Sequence, residues 1–358
     1  MTTIATCLID RANFGRLLPV MRALKDAPNI APCTIVGGTM LLDRFGHTWE
    51  SVAKEFPIAG RVWCEHEGNT TGTMARSLAS AVSGFVDQFE QLRPDFAIVI
   101  GDRYEALGAA IAAVYTGVKL IHFQGGETSG CIDDRNRHAI TALADYHVPA
   151  TEKARERVLE IDPRPDAILT VGCPSSDLAR GITWKPGGKI LAVLHPDTNE
   201  TAEVQYERAG FMFDILERLD HATVLLWPNI DAGADQISKR IRQFGERDWL
   251  VVKKNLPPEA YLQTLCCAPL AIGNSSSFVR DSSYFGTPVV LLGDRQAGRQ
   301  TWGNVGFVTD EFLRDAINGV EYAARHCRKQ INRGPFPPST LYGDGHVAER
   351  FIEALQRL

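Results

Sequence analysis

Positive charge is not in excess in this sequence: 38 Lys and Arg stand against 43 Asp and Glu, a formal net charge of −5. That balance excludes the basic footprint of a nucleic-acid-binding protein. No basic leader precedes the first apolar run, and Asp10 and Arg11 close that run early, so no secretory signal is read. The longest uncharged apolar stretch, Ala106 to Val118, falls short of the roughly 18 residues that suggest a membrane span, and a cytoplasmic protein without membrane contact is expected. The eight cysteines show neither CxxC nor Cys/His spacing, so they read as reduced packing thiols with no metal. Cys266 and Cys267, adjacent in a helical pattern, receive no role.

Familiar catalytic signatures are missing too. There is no GxxxxGK[ST], and no GxGxxG follows the first apolar run, which argues against an ATPase and a dehydrogenase. The one GxGxxA, Gly343-Asp344-Gly345 to Ala348, opens a terminal helix and reads as a turn with a cap. HExxH and GxSxG are also absent, so neither a zinc protease nor a serine hydrolase is indicated. His138 and His147 are expected to be structural.

What is present is a rhythm. Hydrophobic residues make up 44% of the 358 and charged residues 23%, enough for a real core, and the length suits two domains. TIATCLI precedes GRLLPVMRALKD, DFAIVI precedes YEALGAAIAAVY, and KLIHF precedes the helical RNRHAITALADY. This is the alternation of a parallel sheet flanked by helices. It restarts after the Gly- and Pro-rich stretch 172–188 with KILAVL, TVLLWP, WLVVK, PLAIG and PVVLL. Two doubly wound α/β domains are therefore expected, 1–174 and 175–340. Residues 341–358 carry a final helix, HVAERFIEALQRL, that must dock elsewhere. The charged EKARERVLEIDPR reads as a solvated helix face.

Ligands of open parallel sheets bind beyond the carboxyl ends of the strands, so the residues after each run are the candidates. They are Asp10 to Asn13, Gly101-Asp102-Arg103, Gln124 to Glu127, His195, Asn274 to Ser277, and Gly293 to Arg295. GNSSSFVRDSSYFG offers hydroxyls and backbone N–H groups between a strand and a helix, which suits phosphate; the plainer alternative is that one Ser caps the helix. Arg11, Arg103 and Arg295 would add fixed charge for a diphosphate, or serve as surface ion pairs. Asp102, Glu127 and Asp133 would converge with Arg137, which follows Asp133 by four residues on one helix. The alternatives are a turn residue at 102, loop polarity at 127 and a helix N-cap at 133.

In their order, RANFGRLLPVM, GDRYEALGAAIAA, HFQGGETSGCIDDRNRHAITALADYHV, VGCPSSDLA, LHPDT, PNIDAG, IGNSSSFVRDSSYFGTPVVLLGDRQAGR and YGDGHVAERF resemble the hydrolysing UDP-N-acetylglucosamine 2-epimerase family over nearly the whole chain. The chain length matches the epimerase half alone of the animal bifunctional epimerase/kinase. The resemblance implies a GT-B architecture of two Rossmann-like domains facing a cleft, with the terminal helix crossing back to the first domain, and it implies a homodimer. It implies a UDP-sugar substrate and no cofactor. Carried over by position, Arg11, Arg103, His195, Ser275, Ser276 and Arg295 hold UDP, and Asp281 falls where the family has a ribose-binding Glu. Asp102 and Asp133 match acid/base carboxylates and Arg137 a matching arginine.

Three positions depart from the family. The Glu of H-x-E-G-G is Gln124, which cannot act as a base, so Glu127 is expected to take that role. The frequent R-A-D is Arg11-Ala12-Asn13, and Asp281 is one methylene short of Glu. The implied reaction eliminates UDP with loss of the C2 proton, then hydrates the glycal and returns a proton to the opposite face. A non-hydrolysing epimerase, a GT-B glycosyltransferase and an inactive nucleotide-sugar-binding protein stay open beside it.

Overall fold

The apolar runs become the strands of two parallel sheets in a computed structural model that describes residues 1–68, 70–313 and 318–358. The first sheet holds β1 (Thr2–Leu8), β2 (Ile30–Gly37), β3 (Ile58–Val62), β4 (Phe96–Ile100), β5 (Lys119–Phe123) and β6 (Tyr146–Val148). The second holds β7 (Ile190–Val193), β8 (Thr223–Leu226), β9 (Leu250–Lys253), β10 (Ala271–Gly273), β11 (Val289–Leu292) and β12 (Val305–Val308). Their orders are β3-β2-β1-β4-β5-β6 and β12-β11-β10-β7-β8-β9, with every pairing parallel. Counted within its own sheet, each is the doubly wound order, and the winding reverses between β1 and β4 and between β7 and β10.

Helices cover both faces of each sheet, so the central strands are apolar on both sides. β4, β7 and β11 are buried at every position. Alternate residues feed opposite layers. Ile4 and Leu8 of β1 join one core, while Ala5 and Cys7 join the other. Ile190 and Ala192 of β7 likewise separate from Leu191 and Val193.

The first helix, Arg11–Asp26, buries Phe14, Leu17, Leu18, Met21 and Leu24, one face of a 3.6-residue period. The last, Val347–Leu355, inserts Val347, Ala348, Phe351 and Leu355 into the same core, with Phe351 edge-on to Phe123 at 5.0 Å. The local GDG turn does not cap it. The Asp177 carboxylate, 170 residues earlier, accepts from Val347 N at 3.0 Å and from Ala348 N at 2.8 Å. All eight cysteines are free, and no described helix is long and apolar enough to cross a membrane.

Candidate active site

The carboxyl ends of both sheets line one cleft of about 1520 Å³, its open mouth included. One wall begins after β1. Asp10 accepts from Asn13 N at 2.8 Å, and Asn13 Oδ1 accepts from the N–H groups of Ile9 and Asp10 at 3.1 and 3.3 Å. This reciprocal box starts the first helix and fixes where Arg11 and Arg16 leave it. Asn13 therefore borders the cleft with its side-chain oxygen already committed to backbone. Arg11 reaches across and donates to the carbonyls of Trp227, at 2.7 Å, and Lys254. Arg16, missed by the sequence reading, lines the floor; it donates to Gln124 Oε1 at 2.9 Å and makes no ion pair among the described residues.

After β4 come Asp102 and Arg103. Asp102 pairs with Arg137 and lies 3.8 Å from Arg299. Arg103 is gripped by Glu105 at 2.8 Å and, across the cleft, by Asp231 at 3.0 Å. Burial works against its charge, but these carboxylates outweigh burial and hold its pKa well above the usual value.

Three expected residues lie behind the lining instead of in it. Gln124, at φ 64°, gives its oxygen to Arg16 and its Nε2–H to Cys173 Sγ at 3.0 Å. Gly126, at φ 79°, brings the loop so close that a Cβ there would sit 2.0 Å from the Ala154 carbonyl. The same close approach buries Glu127, whose carboxylate meets Arg280 at 2.8 Å and Arg299. Arg137 is buried as well; it pairs with Asp102 and Asp134 and donates to the Glu127 carbonyl at 2.7 Å. The partner on its own helix is thus Asp134, three residues back, and not Asp133, four back. Burial, then Arg280, Arg16 and Arg295, lower the Arg137 pKa to about 9, which leaves it cationic at neutral pH.

Asp133 stands in the first turn of the helix Asp133–Leu143, after the N-cap Ile132, and faces the cleft. The Cys131 thiol donates to its Oδ2 at 3.4 Å, and Arg295 of the opposite wall lies 3.7 Å away. Burial, then Asp231, push its pKa up to about 6, against the pull of Arg295 and Cys131.

The second wall is tied together at its switch point. Gly273 passes so near β7 that a Cβ would lie 1.7 Å from the Val193 carbonyl. Asn274 then clamps His195, accepting from its N–H at 2.7 Å and donating to its carbonyl at 2.8 Å. His195 Nδ1 accepts from Asn229 N at 3.2 Å. Burial, then Arg295, Arg11, Arg103 and Arg16, hold its pKa well below 6.5, so the ring is neutral and Nε2 carries the proton as a donor for a ligand.

Ser275 makes no capping bond; its Oγ meets Ser277 Oγ at 2.9 Å. Ser276 Oγ accepts from Arg280 at 2.9 Å. The helix that follows, Ser276–Arg280, is only five residues long, so hydroxyls and the first N–H groups supply the donors, and a long helix's field does not. Asp281 accepts from Ser175 Oγ at 2.8 Å, with its pKa raised by burial. Arg295 donates to the Asn274 carbonyl at 3.2 Å.

The cleft thus opposes a cation- and hydroxyl-rich wall, suited to a diphosphate, to two carboxylates in unlike surroundings. Asp102 sits beside the Arg137 and Arg299 guanidiniums, whereas burial pushes Asp133 toward neutrality, so the two carboxylates facing the cleft have unlike neighbours. No cluster of three or more His, Cys, Asp or Glu that could hold a metal ion occurs among the described residues. Among the cleft residues the sequence reading passed over are Arg16 and Arg299, though each follows an expected arginine in the same segment, Arg11 and Arg295.

Comparison with known proteins identifies the fold and the family. The chain is 28% identical over 362 residues to the UDP-N,N'-diacetylbacillosamine 2-epimerase (hydrolyzing) of Legionella pneumophila, covering 97% of this chain and 94% of that one. It is 28% identical over 318 residues to the GDP/UDP-N,N'-diacetylbacillosamine 2-epimerase (hydrolyzing) of Campylobacter jejuni, covering 84% and 83%. The fold matches that of the Methanocaldococcus jannaschii UDP-GlcNAc 2-epimerase, solved in complex with UDP-GlcNAc and UDP, with a TM-score of 0.80 at 16% identity over 100% of both chains. The UDP-N-acetylglucosamine 2-epimerase family model matches residues 22–356. With two doubly wound sheets in the GT-B arrangement and two carboxylates facing a cation-rich wall, the chain belongs to the UDP-N-acetylglucosamine 2-epimerase family.

Proposed function

We propose that the protein is a hydrolysing 2-epimerase that converts a UDP-2-acetamido sugar, UDP-GlcNAc or a close relative, into UDP and the free C2-epimerised sugar. The observation that carries this reading is the placement of Asp102 and Asp133 across the cleft from His195, Ser275 and Arg295. The hydrolysing relatives named above support the branch. Their sugar bears a second acetamido group, so the UDP conjugate of that sugar is assayed beside UDP-GlcNAc.

In this account Ser275, Ser276, Arg295 and the His195 Nε2–H hold the diphosphate, and Asp281 holds the ribose. Arg11 and Arg103 border the pocket and add positive potential, their N–H groups being engaged by Trp227, Lys254, Glu105 and Asp231. One carboxylate of the Asp102/Asp133 pair takes the C2 proton. The C2–H electrons form the C1–C2 double bond as the C1–O bond breaks, and that bond's electrons leave with UDP. Water then adds its oxygen at C1 and gives up one proton to solvent, the other carboxylate delivers its proton to the opposite face of C2, and proton exchange with solvent returns the two carboxyl groups to their starting states. Net, one water is consumed for each sugar nucleotide. Donors aimed at the departing phosphate stabilise the charge that develops there.

The test is UDP release by Asp102→Asn and Asp133→Asn. Each is expected to lose about 10²- to 10⁴-fold in kcat, the range for removal of a general acid or base, while still binding UDP. Turnover near wild type in both variants would overturn the assignment.

A further inference from the structure

Glu127 was expected to carry a proton, yet its carboxylate faces away from the cleft lining. It is only 6% exposed, and both of its cationic partners come from the opposite domain: Arg280 at 2.8 Å and Arg299. The next residue repeats the crossing, with Thr128 Oγ1 donating to the Gly298 carbonyl at 2.9 Å. Arg299 lines the cleft and lies 3.8 Å from Asp102. On its own side the Glu127 carbonyl holds Arg137, the other guanidinium on Asp102. A single loop residue is therefore in contact with both arginines that flank the reacting carboxylate.

We propose that Glu127 is an interdomain latch and a positioning residue: its buried carboxylate draws Arg280 and Arg299 onto the first domain and so seats Arg299 against Asp102. This rests on the reading of Asp102 as an acid/base group, but the latch itself does not. The physical argument is one of compensation. Arg299 and Arg280 are nearly fully buried, at 4% and 2% side-chain exposure, and a buried guanidinium is costly without an anion beside it. Lys153 and Arg157 line the small cavity behind Glu127 and add further positive charge, so no other carboxylate of that cavity can replace it. Parting the domains would strand the Glu127 carboxylate and remove one of the two cations on Asp102. The geometry thus couples closure of the cleft to the charge environment of the reacting group.

The experiment compares wild type, Glu127→Gln, Arg299→Gln and the double variant, each checked for folding by circular dichroism. Small-angle scattering without ligand is expected to give a larger radius of gyration for Glu127→Gln than for wild type. Both single variants are expected to lose about 100-fold in kcat/KM, the size of effect that a misplacement of ~1 Å produces, and the double variant is expected to lose no more than either. The limb of the pH profile that belongs to Asp102 is expected to move to higher pH in both, because removing a cation favours the protonated carboxyl.

Unchanged scattering in Glu127→Gln, or multiplicative losses in the double variant, would overturn the latch. If Glu127→Gln does not fold, Arg299→Gln carries the test, and wild-type kinetics with an unmoved profile would overturn it. Scattering needs no turnover, so a protein that opens on Glu127→Gln while the wild type never releases UDP would keep the latch and refute the hydrolysing reading. A working epimerase with unaltered scattering would do the reverse.

Discussion

Asp133 and Gln124 show how differently a residue's neighbours can decide what it does. The side chain of Asp133 keeps partial access to the cleft and is pushed to about 6, first by burial and then by Asp231. The thiol of Cys131 opposes that rise by donating to the ionised form. Cys131→Ala removes the donor, so the Asp133 pKa goes up and its limb in kcat/KM against pH moves to higher pH. Cys131→Ser, which restores a donor, should bring the limb back, and an unmoved limb in the Ala variant would mean that this contact does not tune the reaction. Gln124 is the converse case, an amide locked between Arg16 and Cys173 and removed from the cleft surface. Spacing in the sequence located Asp102, His195 and the serines, because each follows an apolar run at a carboxyl end, while Asp133 was placed on the helix after KLIHF by its spacing to Arg137. It did not foresee that Arg137 selects Asp134, nor that Glu127 looks backward. The second outcome depends on Gly126 pressing its loop against the Ala154 carbonyl, a contact between separate segments.

Among the elements, the terminal helix links stability to the site most directly. Its apolar period was plain in HVAERFIEALQRL, but the partner face was not, and neither was the cap. Asp177 closes the helix from a segment that carries no local signal for it. Phe351 rests on Phe123, the residue immediately before Gln124, so the helix supports the loop that carries Glu127. Phe351→Ala should cost about 3–5 kcal/mol in urea denaturation, the range for emptying a buried aromatic site. It should also reduce turnover, and a loss well under 1 kcal/mol would show that the helix is not part of the core. The strands the apolar-run reading passed over were β2, β3, β6 and β12. β6 is YHV, three residues without room for a period, and β2 opens with IAPC, where Pro32 interrupts the pattern.

At the scale of the whole molecule, the two domains meet through charge. Arg103 with Asp231, Arg295 near Asp133, and Glu127 with Arg280 and Arg299 all join one domain to the other. The Arg103 and Glu127 pairs are buried, so partners left alone would be costly, and the closed arrangement is favoured by groups that line the cleft or stand just behind it. The repeat of one strand order in both halves was legible as rhythm. The crossing pairs were not, since each joins residues more than a hundred positions apart.

The central claim, cleavage of UDP with inversion at C2, is tested most directly by NMR of UDP-GlcNAc, and of the UDP-diacetylated sugar, with the pure protein in D₂O. The account predicts free UDP in the phosphorus spectrum together with a free epimerised sugar carrying deuterium at C2. Intact UDP sugars deuterated at C2 would contradict hydrolysis. Unchanged spectra with both substrates would contradict epimerase activity itself.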